Sequence, residues 1–326
     1  MTRVPFAVLI AMAGFQSALA QNADAIDEVV VVGRLPGPPL WKVSSGDHAL
    51  WIFPHIVIVP KEMRWESLRV DRLIAGAQEY LPMPVAISTA TIGLNPIKLA
   101  RTYALYRESI KLPDGQTLAD VLPTPLYERF RAVKARYLPR NDGIEELVPQ
   151  EAARRLANAA FDAEKLGPPI LITSTLDGFV RRNDAIRVTD VSVREFQTVE
   201  FNQLRELVEA GSGASLGEAD IACFEQHIAY FETSLPHIRR LANVWAQGFV
   251  DELVATASRP DEADACVDPS PQVDAKMREQ WLSAAEDALA NNASTFAVLA
   301  LDEVVSPSGL VAKLEAKGYT VEISAQ

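Results

Sequence analysis

The pattern of apolar and polar positions divides the chain into strands at both ends and helices between them. Trp41 to Phe53 reads as a hairpin: Trp41-Lys42-Val43-Ser44 alternates, Ser45-Gly46-Asp47 turns, and Ala49 to Phe53 is apolar. A second apolar stretch, Ile56 to Val59, ends at Pro60. Helical spacing follows over Trp65 to Tyr80, with Leu68, Leu73, Ile74 and Ala77 on one side, until Pro82 and Pro84 stop it. Helices are expected over Leu99 to Ser109 and Leu118 to Lys134, parted by the Pro-Asp-Gly turn at 113–115. Another runs from Glu151 to Ala163 and ends at Gly167-Pro168-Pro169. Ala185 to Val193 reads as a strand and Glu195 to Ala210 as a helix.

Gly211-Ser212-Gly213 reads as a joint. Ser215 and Glu218 fit a capping box opening a helix to about Leu235, with a break at Pro236. His237 to Ala246 resumes helical spacing, and Ser258 to Val273 is a Pro- and Asp-rich loop. The C-terminal pattern is the sharpest. Met277 to Asn291 places Met277, Trp281, Ala284, Ala285, Ala288 and Leu289 on one side of a helix. Thr295 to Leu301 is apolar throughout, as in a strand covered on both faces. Ser308 to Lys317 is a short helix closed by Gly318, and Tyr319 to Ile323 a last strand. That strand–helix–strand order predicts parallel pairing of the two strands through a right-handed crossover.

The first twenty residues differ in kind. Arg3, the apolar stretch Val4 to Phe15 and Ala18-Leu19-Ala20 fit a secretory signal peptide cleaved before Gln21. Residues 21–40 then read as a flexible leader. The expected location is the periplasm or the exterior, with no stable membrane span after cleavage, because no later segment is apolar for long enough. Export changes the reading of the two cysteines. In an oxidising compartment Cys223 and Cys266 are expected to form a disulfide; two buried free thiols are the alternative. The bond would close a loop of about forty residues and contribute roughly 3–4 kcal/mol on the chain-entropy view.

Composition narrows the partners. The chain has 326 residues, enough for one large domain, and a net charge of −12. That acidity argues against nucleic acid and against an anionic membrane surface. The common catalytic and nucleotide-binding signatures are absent. Four histidines limit any metal site. His48 sits at a hairpin turn, where it is expected to be solvated, and His227 and His237 lie on helices. His55 stands beside Pro54 at a strand end, a common place for site residues. The acid pair Glu145-Glu146 reads as a solvated loop. Asp302-Glu303 follows an apolar strand, where α/β sheets hold their ligands. Asn292-Ala293-Ser294 is a glycosylation sequon, read as incidental.

Three stretches resemble the TraB/GumN family, which includes the Tiki-like metal-dependent proteases. They are Gly46 to Phe53 continuing to Val59-Pro60-Lys61, Trp245-Ala246-Gln247-Gly248 after a helix, and Ala288 to Val321. The resemblance implies one α/β domain over residues 41–326, built from two related halves around a central mixed sheet flanked by helices. It also implies a divalent cation, held in active relatives by two histidines and serving peptide hydrolysis. One of those histidines closes a G-x-x-H at the first strand end; the other precedes the short C-terminal helix. Here the first falls on Val57, with Pro54 at the glycine, and the second on Glu303, with Asp302 where glycine is usual. Valine cannot ligate, and His55 stands two positions early, roughly 6–7 Å along an extended strand. The expectation is therefore a degenerate member, without a confident catalytic residue or resident cofactor, that binds an unknown ligand or partner. The alternative is a metal-dependent hydrolase in which His55, Asp302 and Glu303 hold the cation.

Overall fold

The structure is a computed structural model that describes residues 37–91, 96–140, 143–198, 200–203, 205–206, 217–257 and 271–324. The segment read as a signal peptide, the expected leader up to residue 36, the glycine joint at 211–213, Ser215 and Cys266 lie outside the described residues.

The hairpin forms as its alternation requires. Strand β1 (Leu40–Ser45) and strand β2 (His48–His55) pair antiparallel, and Gly46 at φ +57° makes the turn. The apolar C-terminal run is strand β9 (Ser294–Ala300), whose interior from Thr295 to Leu299 is buried. It lies parallel to β2 on one side and to β4 (Glu79–Leu81) on the other. The whole sheet has the order β10–β1–β2–β9–β4–β7, with β7 at Arg187–Val188 and β10 at Thr320–Ser324. It is mixed: β1 alone runs against the other five strands. The fold is thus the mixed α/β arrangement with a helix-flanked central sheet that the sequence suggested.

The expected pairing of β9 with the last strand is corrected. The two strands run in the same direction, but β1 and β2 stand between them, and β10 pairs antiparallel with β1 from Leu40↔Ser324 to Ser44↔Thr320. The position beside β9 is taken by β2 over seven register pairs. The β2 interior, from Ile52 to His55, is buried throughout, so it needs cover and neighbours on both sides.

The expected helix Trp65 to Tyr80 is shorter, with α1 at Leu68–Ala75; beyond Gly76 the chain turns back into the sheet as β4. The prolines split Leu118 to Lys134 into α3 (Leu118–Val121) and α4 (Thr124–Tyr137), after α2 (Pro96–Ser109). Residue 195 begins no helix: Val193–Thr198 is strand β8, parallel to β5 (Ala86–Thr91) in a separate two-stranded sheet. The helix α6 (Ile170–Arg181) was not expected from the sequence: it follows directly on two prolines, and its apolar residues are split between buried Ile172 and Leu176 and exposed Ile170 and Leu171. Between α4 and α6 lie α5 (Pro149–Ala163) and the two-residue strand β6 (Leu166–Gly167). β6 pairs with β3 (Val59–Pro60).

The remaining helices are α7 (Glu218–Ala229), α8 (Ile238–Ala246), α9 (Val250–Ala257), α10 (Pro271–Asn291), α11 (Leu301–Val305) and α12 (Leu310–Ala316). α7 is capped by the Asp220 carboxylate, which accepts from the Gly217 N–H at 3.1 Å. Between α7 and α8 the chain passes through a π turn and a 3-10 turn around Pro236, as a missing N–H requires. Two cores result. One surrounds the sheet, around Phe53, Trp245, Trp281 and Phe296; the other is helical, around Phe130, Leu156, Phe224 and Phe231.

Candidate functional site

The parallel strands β2 and β9 end side by side, with Pro54 opposite Leu299 and His55 opposite Ala300. This carboxyl end of the sheet is where α/β folds place ligands, and α11 turns back across it onto β2.

Three aromatic rings build the floor. Phe53 meets Trp65 and Trp245 edge-on at centroid distances of 5.7 and 5.6 Å, and the two tryptophans are 5.8 Å apart. Trp245 also donates its indole N–H to the Pro54 carbonyl at 2.7 Å in a buried bond. The Trp245 motif therefore fastens α8 to the end of β2. A carbonyl at a strand tip lacks a ladder partner, so this donor satisfies it.

His55 is 6% exposed, and its Nδ1 is buried without a hydrogen-bond partner among the described residues. Burial pushes its pKa down to about 4, so the ring is neutral at pH 7. Val57, where the family resemblance puts the first histidine, lies just past the strand and is 58% exposed.

Glu303, at the second motif position, is engaged on two sides. Its carboxylate accepts from the Arg278 guanidinium on α10 and, at 3.0 Å, from the Leu310 N–H at the start of α12. Arg278 also donates to the Ser308 carbonyl at 2.8 Å. One ion pair thus clasps α10, α11 and α12 together. Asp302 is solvent-exposed, although the water displaced by surrounding chain raises its carboxyl above the usual aspartate value. Among the described residues no group of three His, Cys, Asp or Glu side chains is gathered to hold a metal ion.

The clasp explains Gly309. A Cβ there would collide with the Glu303 carbonyl oxygen and lie 2.9 Å from its carbon and 3.0 Å from the Ser306 oxygen. These are backbone atoms and cannot swing away. Gly309→Ala is expected to lower the unfolding free energy by about 1–3 kcal/mol, the usual range for overpacking. Urea titration checks this; an unchanged midpoint would show that α12 can shift freely.

Other sequence candidates fall away from this end. His48 is not simply solvated at its turn: it opens β2 and bonds the Leu289 carbonyl through Nδ1 at 2.7 Å. His227 bonds its own helix, with Nδ1 2.9 Å from the Cys223 carbonyl. Glu145 is not left to solvent, since Lys134 and the Tyr127 hydroxyl donate to it at 2.7 and 3.0 Å.

At the opposite end of the sheet is a polar cluster that sequence reasoning missed. Glu79 is 5% exposed and accepts from Arg187 at 2.8 and 3.1 Å, from Asn292 at 2.6 Å and from Thr189 at 2.5 Å. Burial alone would raise its carboxyl. The Arg187, Thr189 and Asn292 hydrogen bonds outweigh burial and hold it below the usual value. Asn292, the sequon residue, is 6% exposed, and its amide also donates to the Thr295 hydroxyl on β9 at 3.0 Å. In the sequence Asn292 stood out only as part of a sequon, and nothing local joined it to Glu79, 213 residues away.

No curated protein and no solved structure matches the chain. The TraB/PrgY/gumN family pattern matches residues 39–323, from the residue before β1 into β10. The hairpin, the tryptophan that ties α8 to β2, and the β9–α11–α12 corner all fall inside that span. The chain belongs to the TraB/PrgY/gumN family.

Proposed function

We propose that this family member is exported, has lost the metal chemistry of its active relatives, and uses the carboxyl end of its sheet to bind a ligand or partner. The observation that carries the reading is the state of Glu303. Its carboxylate neutralises Arg278 and caps α12, so a cation would have to displace a guanidinium and an N–H to reach it. Val57 supports the same reading, since an isopropyl group offers no donor electrons. These residues do not fit a divalent cation.

The test is metal content. The mature protein, equilibrated with Mn²⁺, Co²⁺ or Zn²⁺ and then dialysed, is expected to retain no stoichiometric ion and to release no peptide product. One ion per chain, lost in His55→Ala, together with chelator-sensitive peptide cleavage, would overturn the proposal. That outcome would instead support the remodelled hydrolase of His55, Asp302 and Glu303. The buried, unpartnered Nδ1 of His55 is the observation in its favour.

The same reading includes cleavage before Gln21 and a Cys223–Cys266 disulfide. Intact-mass measurement of protein exported by a Gram-negative host checks both. The expected mass begins at Gln21 and is two hydrogens below that of the reduced chain; a retained leader or two alkylatable thiols would count against export.

A further inference from the structure

Helix α5 opens on a pair of arginines that the sheet-end site does not use. The chain leaves α2 and is tied at once to the start of α5. The Val148 N–H donates to the Ile110 carbonyl at 2.9 Å, and the Leu112 N–H to the Glu146 carbonyl at 2.8 Å. Ala152, Ala153 and Leu156 then enter the helical core, and Glu151 beside them is only 6% exposed. A carboxylate so buried needs partners. Arg154 donates to it through Nε at 2.7 Å and Nη2 at 2.6 Å, and Arg155 through Nε at 3.1 Å. The Arg154 hydrogen bonds, with Arg155 behind them, outweigh burial and hold Glu151 below the usual glutamate value. Arg154 Nη2 and Arg155 Nε share one oxygen, Oε1, so the two guanidinium groups stand side by side. Their side chains are 57% and 39% exposed, and Nη1 and Nη2 of Arg155 have no partner among the described residues.

We propose that Arg154 and Arg155 bind an oxyanion, the phosphate or carboxylate group of a ligand, with Glu151 as the buried post that positions both. Charge carries the proposal. One carboxylate faces two guanidinium groups, so a positive charge is left over in a chain whose net charge is −12. Glu151 is the sole acid from residue 150 to 159. Asp220 on α7 is already engaged by Gln150, at 3.0 Å. The free edge of a planar guanidinium offers parallel N–H donors that match two oxygens of one phosphate or carboxylate. Because Glu151 already fixes these long side chains, binding pays little further ordering entropy. α2 borders the pair. Glu151 first, and then the Tyr106 phenol of α2, hold Arg154 above the usual arginine value, and Tyr106 is itself 44% exposed. Arg101 and Arg107 against Glu108 on the same helix keep the approach positive. The site does not depend on what the sheet end binds.

Titration of the mature chain with sodium phosphate and, separately, with sodium succinate tests this, at constant ionic strength. The Nε–H resonances of Arg154 and Arg155 are followed by NMR. Both are expected to shift and saturate at millimolar anion in at least one titration, and the anion that saturates them identifies the group recognised. Arg155→Gln is expected to weaken binding about tenfold, the loss of one charged hydrogen-bonding fork, with unchanged circular dichroism. Arg155→Lys keeps the charge without the fork and is expected to weaken it less, which separates geometry from charge. Arg240→Gln, at an exposed ion pair on α8, is expected to leave binding unchanged. Saturation by neither anion overturns the proposal. So does saturation that both Arg155 variants leave unaltered, since the arginines would then serve only to bury Glu151.

Discussion

Glu79→Leu is expected to lower the free energy of unfolding by about 3 kcal/mol, because it strands the buried Asn292 amide and breaks a charged hydrogen-bond network. The carboxylate sits at the start of β4 and receives four hydrogen bonds: two from Arg187, one from Thr189 and one from Asn292. Its loss affects the partners unequally. Arg187 is 62% exposed and can turn to solvent. The Asn292 amide nitrogen is buried and keeps only Thr295 as an acceptor. Glu79→Gln keeps one acceptor oxygen for Asn292 and turns the other into an NH2 group, from which the Thr189 hydroxyl can accept, so about 1 kcal/mol is expected. Urea titration of both variants at pH 7 gives the comparison. Equal losses in the two would mean that the ion pair, rather than the satisfied amide, carries the energy. Below about pH 4.5 the loss of each variant relative to wild type shrinks, because only the wild type titrates there. The lowered Glu79 carboxyl stabilises the fold above its unfolded pKa, and that contribution is lost as pH falls through the folded value.

The second large effect is set by His55. Its folded pKa is about 4 against 6.5 for a free imidazole, and burial alone lowers it. The unfolded chain therefore binds a proton between these values that the folded chain refuses. Stability is full above pH 6.5 and falls by about 3 kcal/mol as pH drops to 4. Most of the window lies above the range where carboxylates titrate, so it can be read separately from Glu79. His55→Leu removes the group while filling the same apolar space, and its stability should stay nearly flat between pH 6.5 and 4.5. If wild type and His55→Leu share one slope there, the imidazole is reached by solvent after all. An acid-labile strand tip has a functional side. α11, which carries Asp302 and Glu303, packs on β2, so protonation of His55 would loosen the proposed binding end first.

Much of the architecture was legible in the chain. Alternation marked the first hairpin, the unbroken apolar run of Thr295 to Leu301 marked the central strand, and Gly318 at φ +95° closed the last helix as its position suggested. These signals are local, since side-chain period and backbone sterics act over a few residues. The failures share the opposite property. Tyr80 continued a helical spacing, yet it stacks on Phe296 in the sheet, because the space beside β9 was open to β4. Phe196 looked helical and became a strand residue beside β5.

Family membership and the side chains at positions 57 and 303 could be read from the chain alone, since an isopropyl group and a carboxylate are set by covalent chemistry. What each residue is free to do emerged with the packed fold. Glu303 meets Arg278 from 25 residues away, Pro54 receives the Trp245 indole from 191 away, and Glu79 meets Asn292 from 213 away. Hydrogen bonds and desolvation depend on distances of a few ångströms, and chain separation says nothing about those until the cores have packed.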